Sequence, residues 1–571
     1  MNLPAHLDLI AAAPDGIRKL RGLILELAVR GKLVAQDPSD EPAGELLKRI
    51  ARERARLEAE GTCRKSEAMA VVGKDEQPFA LPEGWEWSRL SAVSLVNPRN
   101  AADDSTVASF VPMAMIGTSF DGKHLQEHRK WGEIKQGFTH FAENDIGVAK
   151  ITPCFENSKA CIFENLQSGI GAGTTELHIV RSMGGTLAPR FVLAYLKGPM
   201  FLQIGETRMT GTAGQKRLPK EFLEQNPFPL PPLAEQHRIV AKVDELMALC
   251  DRLEAEQTDA DAAHARLVDT LLATLTRSAD TAELSANWQR LAEHFDTLFT
   301  TESSLDALRQ TILQLAVMGK LVPQDPDDEP ASELLKRIAK ERARLEAAGV
   351  CKKSKGMPLV GEDEQPFEVP EGWAWERIGN YVLQTDYGLS EKTLATTDGV
   401  PVLKMGDIQS GNVILGGQKA VPSTTEGLPY LLLEPGDLLY NRTNSAELVG
   451  KTGIFRGQTQ QYSFASYLIR IRCAKDMTLP AFLNLTMNAP MFRDTEIVPH
   501  LKQQCGQANV NGTILRNMRI PVPPAAEQHR IVAKVDELLA LVDRLKADLA
   551  GSGAKQERLA AALIESALQA A

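Results

Sequence analysis

At 571 residues the chain exceeds the roughly 250 to 300 at which single cores stop growing, which excludes a one-domain protein. Hydrophobic residues at 43% and charged residues at 24% exclude wholesale disorder and fibrous repeats. A formal net charge of -10 excludes a generic nucleic-acid-coating protein. No apolar run approaches the roughly 20 residues needed to cross a bilayer. Met1 to Ala13 carries no Lys or Arg and contains Asp8, unlike a secretory signal. A cytoplasmic protein with no membrane partner is expected. The seven cysteines (63, 154, 161, 250, 351, 473, 505) include no CxxC pair, which predicts reduced, buried thiols.

The chain contains itself twice. Residues 20–90 align without a gap on 308–378, with 50 of 71 positions identical, and 229–253 align on 521–545, with 21 of 25 identical. Leu3, His6 and Asp8 answer Leu291, His294 and Asp296. Between these stretches the copies diverge, and only scattered positions match, such as Asp145 with Asp437 and Lys159 with Lys451. The organisation expected is therefore 1–84 helical connector, 85–228 first variable domain, 229–284 central helix, 285–372 second connector, 373–520 second variable domain, and 521–571 C-terminal helix.

Within each connector, the segment 42–60 has Pro42 at its start, Glu45 in the first turn and Gly61 beyond its end, which predicts a short helix. Its Lys48, Arg49, Arg52, Arg54 and Arg56 alternate with acids, as on a solvated face; the alternative is a phosphate or partner contact helped by Arg64 and Lys65. The variable domains carry short apolar runs separated by Gly, Pro and Asn: VPMAMI (111–116), TELHIVRS (175–182), PYLLLEPGDLLYNRT (429–443) and SYLIRIRC (466–473). These are strand and turn signals. Helices near 189–203 and 480–493 make each a mixed α/β (α+β) globule. Their charges are 15 Lys+Arg against 14 Asp+Glu in 85–228 and 14 against 12 in 373–520, which leaves -13 on the rest.

After Pro231-Pro232, apolar residues fall at Ile239, Val243, Leu246, Cys250 and Leu253, a 4,3,4,3 coiled-coil spacing that Ile531, Val535, Leu538, Val542 and Leu545 repeat. Helix over about 235–276 is predicted, loosened near Asp259-Ala260-Asp261 and broken in the second copy at Gly551-Ser552-Gly553. The two stripes are expected to pair helix with helix, antiparallel about a pseudo-twofold axis; the alternative is that each packs on its own domain.

A search for chemistry finds none. Gly450-Lys451-Thr452 lacks the glycine a phosphate loop needs five residues earlier, where Ser445 stands. Gly169-Ile170-Gly171-Ala172-Gly173 leads into a strand, with no helix N-terminus to hold a phosphate. Histidines show no metal spacing, and His237 and His529 read as structural residues at helix starts. No bound metal and no bond-making chemistry are expected of this chain.

The segment PLPPLAEQHRIV leading into a heptad helix, repeated as PVPPAAEQHRIV, each copy after a divergent domain introduced by PEGW (82–85 and 370–373), resembles the DNA specificity subunit of type I restriction-modification enzymes. ENDIGVAKITPCFENSKACIF, EPGDLLYNRTNSAELVGKTGIF and the GQ pairs at 214–215 and 506–507 are similar to that family's target recognition domains. The resemblance implies a non-catalytic reader of double-stranded DNA, each domain contacting half of a bipartite site, with the helices as spacer. It also implies methyltransferase subunits, two of them, and restriction/translocase subunits as partners. S-adenosylmethionine, ATP and Mg2+ would belong to those partners, and no cofactor to this chain. One rival is a coiled-coil scaffold with two protein-binding modules; another is the recognition subunit of a fused restriction-methylation enzyme.

Within that reading, Arg and Lys suit guanine edges and Asn or Gln suit adenine edges. The first candidate loop holds Lys150, Thr152, Asn157 and Lys159, with Asn441, Arg442, Asn444 and Lys451 in the second copy. The next holds Arg208, Thr210, Gln215, Lys216 and Arg217, matched by Gln503, Gln504, Gln507, Asn509 and Asn511.

Overall fold

The structure is a computed structural model that describes residues 7–61, 63, 71–212, 214–353, 355–395, 399–474, 477–504 and 507–570, with the backbone alone at 7–8, 502–504, 507 and 570. Arg64, Lys65, Leu3, His6, Cys505 and Gly506 of the sequence reading lie outside the described residues. The chain divides into two units, residues 1–260 with 552–571, and residues 261–551. Each unit takes its connector and variable domain from one half of the chain and a length of helix from the other half.

In the first unit, helix Gly16–Val29 buries Leu20 and Ile24, and helix Ala43–Ala59 buries Leu46 and Ile50. The second unit repeats them as Glu302–Val317 and Ala331–Ala347. The charged face of Ala43–Ala59 is paired locally, Lys48 with Glu45 at 2.7 Å and Arg56 with Glu53 at 2.6 Å. Arg54 differs: it is half-buried and donates to Ser91 O and, at 3.0 Å, to Ser94 O, as Arg342 does to Asn380 O and Val382 O. These guanidiniums satisfy carbonyls at the end of a short helix (Leu90–Val93; Ile378–Tyr381) that would otherwise be orphaned.

Each variable domain is closed by its own two ends. Glu86–Arg89 pairs antiparallel with Pro227–Leu230, and Ala374–Arg377 with Arg519–Val522. The incoming and outgoing chain are thus neighbouring strands, about 5 Å apart, and whatever is inserted between them need only return to where it began.

The first domain holds two four-stranded sheets. One runs Ser94–Val96, Leu177–Ser182, Ile146–Ala149, Ala160–Ile162 and is antiparallel; the other runs Glu127–Lys130, Val107–Val111, Ile170–Gly173, Thr139–Ala142, with 107–111 and 170–173 parallel. The second domain repeats the first of these as Gln384–Tyr387, Leu468–Arg472, Leu438–Asn441, Thr452–Ile454 and extends it to six strands. Mixed α/β character is as expected. Of the apolar runs, VPMAMI is strand only to Val111, because Pro112 has no N–H for a ladder, and Met113–Met115 form a single 3-10 turn. The helix near 189–203 is two, Pro189–Lys197 and Pro199–Arg208, and that near 480–493 starts as Pro480–Asn488 and Pro490–Phe492. In each case the residue before the inner proline, Gly198 or Ala489, is extended, as proline requires of its predecessor.

The long helices are Leu233–Arg277 and Ala525–Ala570. Neither breaks at 259–261 or 551–553. Two interior glycines cost about 2 kcal/mol, and burial of Ala560 and Ala567 beyond them, with Leu563 and Ile564 packed on the first core, outweighs that. Ile239, Val243 and Cys250 are buried, with Leu246 and Leu253 packed against the same core, which also holds Leu20, Ile24 and Phe191. Ile531, Val535 and Val542, with Leu538 and Leu545 against them, share a core with Val268, Leu272, Leu275, Leu308 and Ile312. Each stripe therefore meets both its own half's connector helix and the C-terminal part of the other long helix. Among the described residues all six cysteines are free, with Cys63 and Cys154 only half-buried.

The repeated motifs converge where helix, connector and domain meet. Glu235 accepts from Trp85 Nε1 at 2.9 Å and from Gln36 at 3.0 Å, and Glu527 accepts from Trp373 at 2.9 Å and Gln324 at 3.1 Å. Gln236 and Gln528 accept the N–H of Ala188 and Leu479, ahead of the domain helices. Arg238 pairs with Asp40 at 2.6 Å and Arg530 with Asp328 at 2.7 Å. PEGW, QDPxDEP and AEQHR are near-identical in the two halves because they form one joint. Burial pushes the Glu235 and Glu527 carboxyls above the ordinary range, against the hydrogen bonds that favour the charged form.

Candidate nucleic-acid interface

In the first domain the two candidate loops, some sixty residues apart in sequence, form one surface. Ile151 bridges Arg217, which in turn bridges Thr210. Leu218 N donates to Lys150 O at 2.7 Å, and Thr152 N to Lys216 O at 3.0 Å. Thr152 is buried and its Oγ1 accepts from Lys216 N at 3.1 Å, so it ties the loops together instead of facing solvent. Lys159 is likewise held, donating to Met113 O at 3.2 Å. Arg217 is exposed but lies bidentate on Glu176, at 2.8 and 3.0 Å, which holds that carboxyl below its usual range. Asn157, Arg208, Thr210, Gln215 and Lys216 are exposed and Lys150 half-buried. His178 supports this surface from beneath, its Nε2 donating to Leu218 O at 3.0 Å.

The second domain brings its loops together by a different device, a small antiparallel sheet. Thr443 pairs with Asn509 and Asn444 with Ala508, and Gln507–Asn509 pairs with Lys502–Gln504 in a hairpin. Gln503, Gln504 and Gln507 are thereby placed on this sheet. Asn509 is exposed and its Oδ1 accepts from Arg442 and from Thr443 Oγ1, both at 3.2 Å. Asn511 caps helix Gly512–Asn517, accepting from Ile514 N at 2.9 Å. Asn444 Oδ1 accepts from Ser445 N at 2.8 Å. Asn441 is fully buried and closes the 441–451 loop through Leu448 O. Lys451 stands apart from Arg442, lining a cleft of about 710 Å³ with Asp306, Arg309, Asn484 and Asp543.

Sequence reasoning missed the aromatic residues here. Tyr387 and Tyr467 are 47% and 50% exposed, the Arg442 guanidinium lies 4.9 Å over the Tyr387 ring, and Arg442 N donates to Tyr467 O. Tyr387 ends a strand whose position beside 509–512 follows only from the fold. Missed too was Glu127–Lys130, an edge strand exposed along its whole length, with Arg129 3.9 Å over Phe110. Among the described residues no cluster of His, Cys, Asp or Glu could hold a metal, and no helix is long and apolar enough to cross a membrane.

Two unlike α/β domains on near-identical helical frames, each gathering basic and amide side chains onto one surface, define a duplicated reader. Comparison with known proteins gives its family. A profile described as the type I restriction modification DNA specificity domain matches residues 179–260 and 378–550. The specificity subunits of the type I restriction enzymes EcoEI and EcoAI of Escherichia coli are 46% and 44% identical to the chain, each match covering 97% of this chain and 94% of that protein. A structure solved for the assembly and conformational transition of a type I R-M system has a similar fold, with TM-score 0.51 and 20% identity over 86% of this chain and 99% of that one. The chain belongs to the type I restriction enzyme specificity subunits. It is a DNA specificity subunit, itself non-catalytic.

Proposed function

We propose that each variable domain reads one half of an asymmetric, bipartite duplex site. The observation that carries this is that two unlike domains are each closed by the same two-stranded clasp on the same joint. Unlike readers on like frames suit unlike half-sites at a fixed spacing. In this reading the long helices set the spacer, and two methyltransferase subunits dock around the reader, joined by restriction/translocase subunits in the cytoplasm. S-adenosylmethionine, ATP and Mg2+ belong to those partners, which also supply much of the phosphate contact, since the two domains carry net charges of only +1 and +2. The 46% and 44% identity to specificity subunits of type I restriction enzymes favours a type I complex over the recognition subunit of a fused restriction-methylation enzyme.

The test is exchange of residues 85–228 for another such domain, with methylated sites mapped genome-wide alongside the methyltransferase. One half of the gapped motif should change and the other stay. A change in both halves would overturn the modular reading.

A further inference from the structure

Among the described residues Arg442 pairs with no acid, unlike four other arginines of its domain. Arg472 pairs with Asp437, Arg470 with Asp386, Arg519 with Glu496 and Arg377 with Glu364. Arg442 is half-buried, and its polar partners are the Ser466 carbonyl at 3.2 Å and the Asn509 amide oxygen at 3.2 Å. Removing a guanidinium from water without a counter-charge is unfavourable for folding, so its placement calls for an electronegative ligand.

The guanidinium is also held still. It lies over Tyr387, whose hydroxyl accepts from Gly512 N at 2.7 Å, and Val510 N donates to Arg442 O at 2.9 Å. Strand end, loop and hairpin thus converge on one cation. Asn509 completes the set. Its Oδ1 accepts from Arg442 and Thr443, and its Nδ2 supplies two further donors on an exposed residue. Arg442 keeps free N–H groups on its terminal nitrogens, and Tyr467 stands beside it. The described residues around Arg442 therefore offer donors and aromatic rings.

Resting on the reading of this domain as a DNA reader, we propose that Arg442, held on Tyr387 and flanked by Asn509, is the principal specificity determinant of the second half-site and reads a guanine. Only guanine presents two adjacent acceptors, O6 and N7, in the major groove, and a planar guanidinium fork matches them bidentately. A phosphate oxygen offers acceptors too, without sequence information, and the two sources behave differently on substitution.

The experiment uses the specificity subunit assembled with its methyltransferase partner and duplexes carrying every base at each position of the mapped site. The second half-site should contain a guanine whose replacement costs roughly 10- to 100-fold in binding in the parent and close to nothing in Arg442→Ala. Arg442→Lys should relax the same position, because a point charge lacks the fork, and Tyr387→Ala should weaken it. Discrimination in the first half-site should stay as in the parent, which also shows that the variants fold. Equal loss on all sequences, with the salt slope lower by about one unit and binding kept by Arg442→Lys, would make Arg442 a phosphate contact and overturn the proposal. Unchanged discrimination throughout the second half-site would overturn it equally. A parent complex without sequence-dependent DNA binding would overturn the DNA reading itself.

Discussion

The two recognition domains share one element of chemistry and differ in the next. In both, a buried aspartate ahead of a central strand holds an arginine from the neighbouring strand: Asp145 with Arg181 at 2.7 Å and Asp437 with Arg472 at 2.6 Å. Two residues along that strand the domains part. The first has Ile179, opposite Asn97, whose Oδ1 accepts from Ile179 N at 2.8 Å. The second has Arg470, opposite Asp386, a pair 2.8 Å apart and buried on both sides, with Arg470 also donating to Tyr430 O and Leu432 O. One site is solved with a neutral amide and the other with charges. The shared pair anchors the fold where the frame needs it, and beyond it each domain was free to diverge as long as its ends met at the clasp.

That contrast is most easily broken at Arg470. Removing one member of a fully buried pair strands the other, so Arg470→Ala and Asp386→Ala should each cost about 3–5 kcal/mol. Thermal melting should show the loss, and amide exchange should confine it to 384–472. The double change Asp386→Asn with Arg470→Ile, which imitates the first domain, should cost less than the sum of the single changes. Additive costs in a double-mutant cycle would mean the two sites are not alternatives.

Arg181→Ala and Arg472→Ala come next. Both remove the partner of a nearly inaccessible aspartate, and each should destabilise its own domain by roughly 3 kcal/mol. Asp145 carries an extra signature: burial pushes its carboxyl upward while Arg181 opposes the shift, so losing Arg181 should raise it further, as NMR titration would show. At the joint, Trp85→Phe and Trp373→Phe each delete one donor to a buried glutamate and should cost about 1–3 kcal/mol. The two costs should agree, because Glu235 and Glu527 accept from matching Trp and Gln donors; a gap above about 1 kcal/mol in their melting would show that the units are not equivalent.

Much of this was legible in the sequence and some was not. The repeat and the joint motifs depend on residues near one another in the chain or copied between halves. The failures share a cause: local rules were applied where tertiary context decides. Gly551-Ser552-Gly553 breaks an isolated helix, yet distant packing carries the helix through. Arg54 reads as solvated, yet it satisfies carbonyls some forty residues away. In the candidate surface, Thr152 and Asn441 have the right chemistry and the wrong exposure. Tyr387 could not be found, because its partners Arg442 and Gly512 lie 55 and 125 residues on in the chain.

The smallest effect separates the two domains by acid. The first holds two histidines neutral. His178 donates from Nε2 to Leu218 O, and His140 accepts the Asn100 N–H on Nδ1 at 3.1 Å while Nε2 donates to Lys135 O at 2.9 Å. Burial lowers both from the ordinary 6.5. In the second domain the only histidine is His500, which is exposed. An unfolded chain takes up these protons near pH 6.5, whereas the folded domain resists them to lower pH. The stability they contribute is therefore present above about pH 6.5 and lost as pH falls toward the lowered folded values. Lys197, pushed down to about 8 by burial, is already largely protonated below pH 7.5. As pH falls from 7.5 to 5.5, amide protection relative to the intrinsic exchange rate should fall across 146–149 and 177–182 while that across 438–441 and 468–472 holds steady. His178→Gln, which keeps a donor toward Leu218 O but does not titrate, should flatten part of the response. Equal loss of protection in both domains would place the acid sensitivity in the shared frame instead.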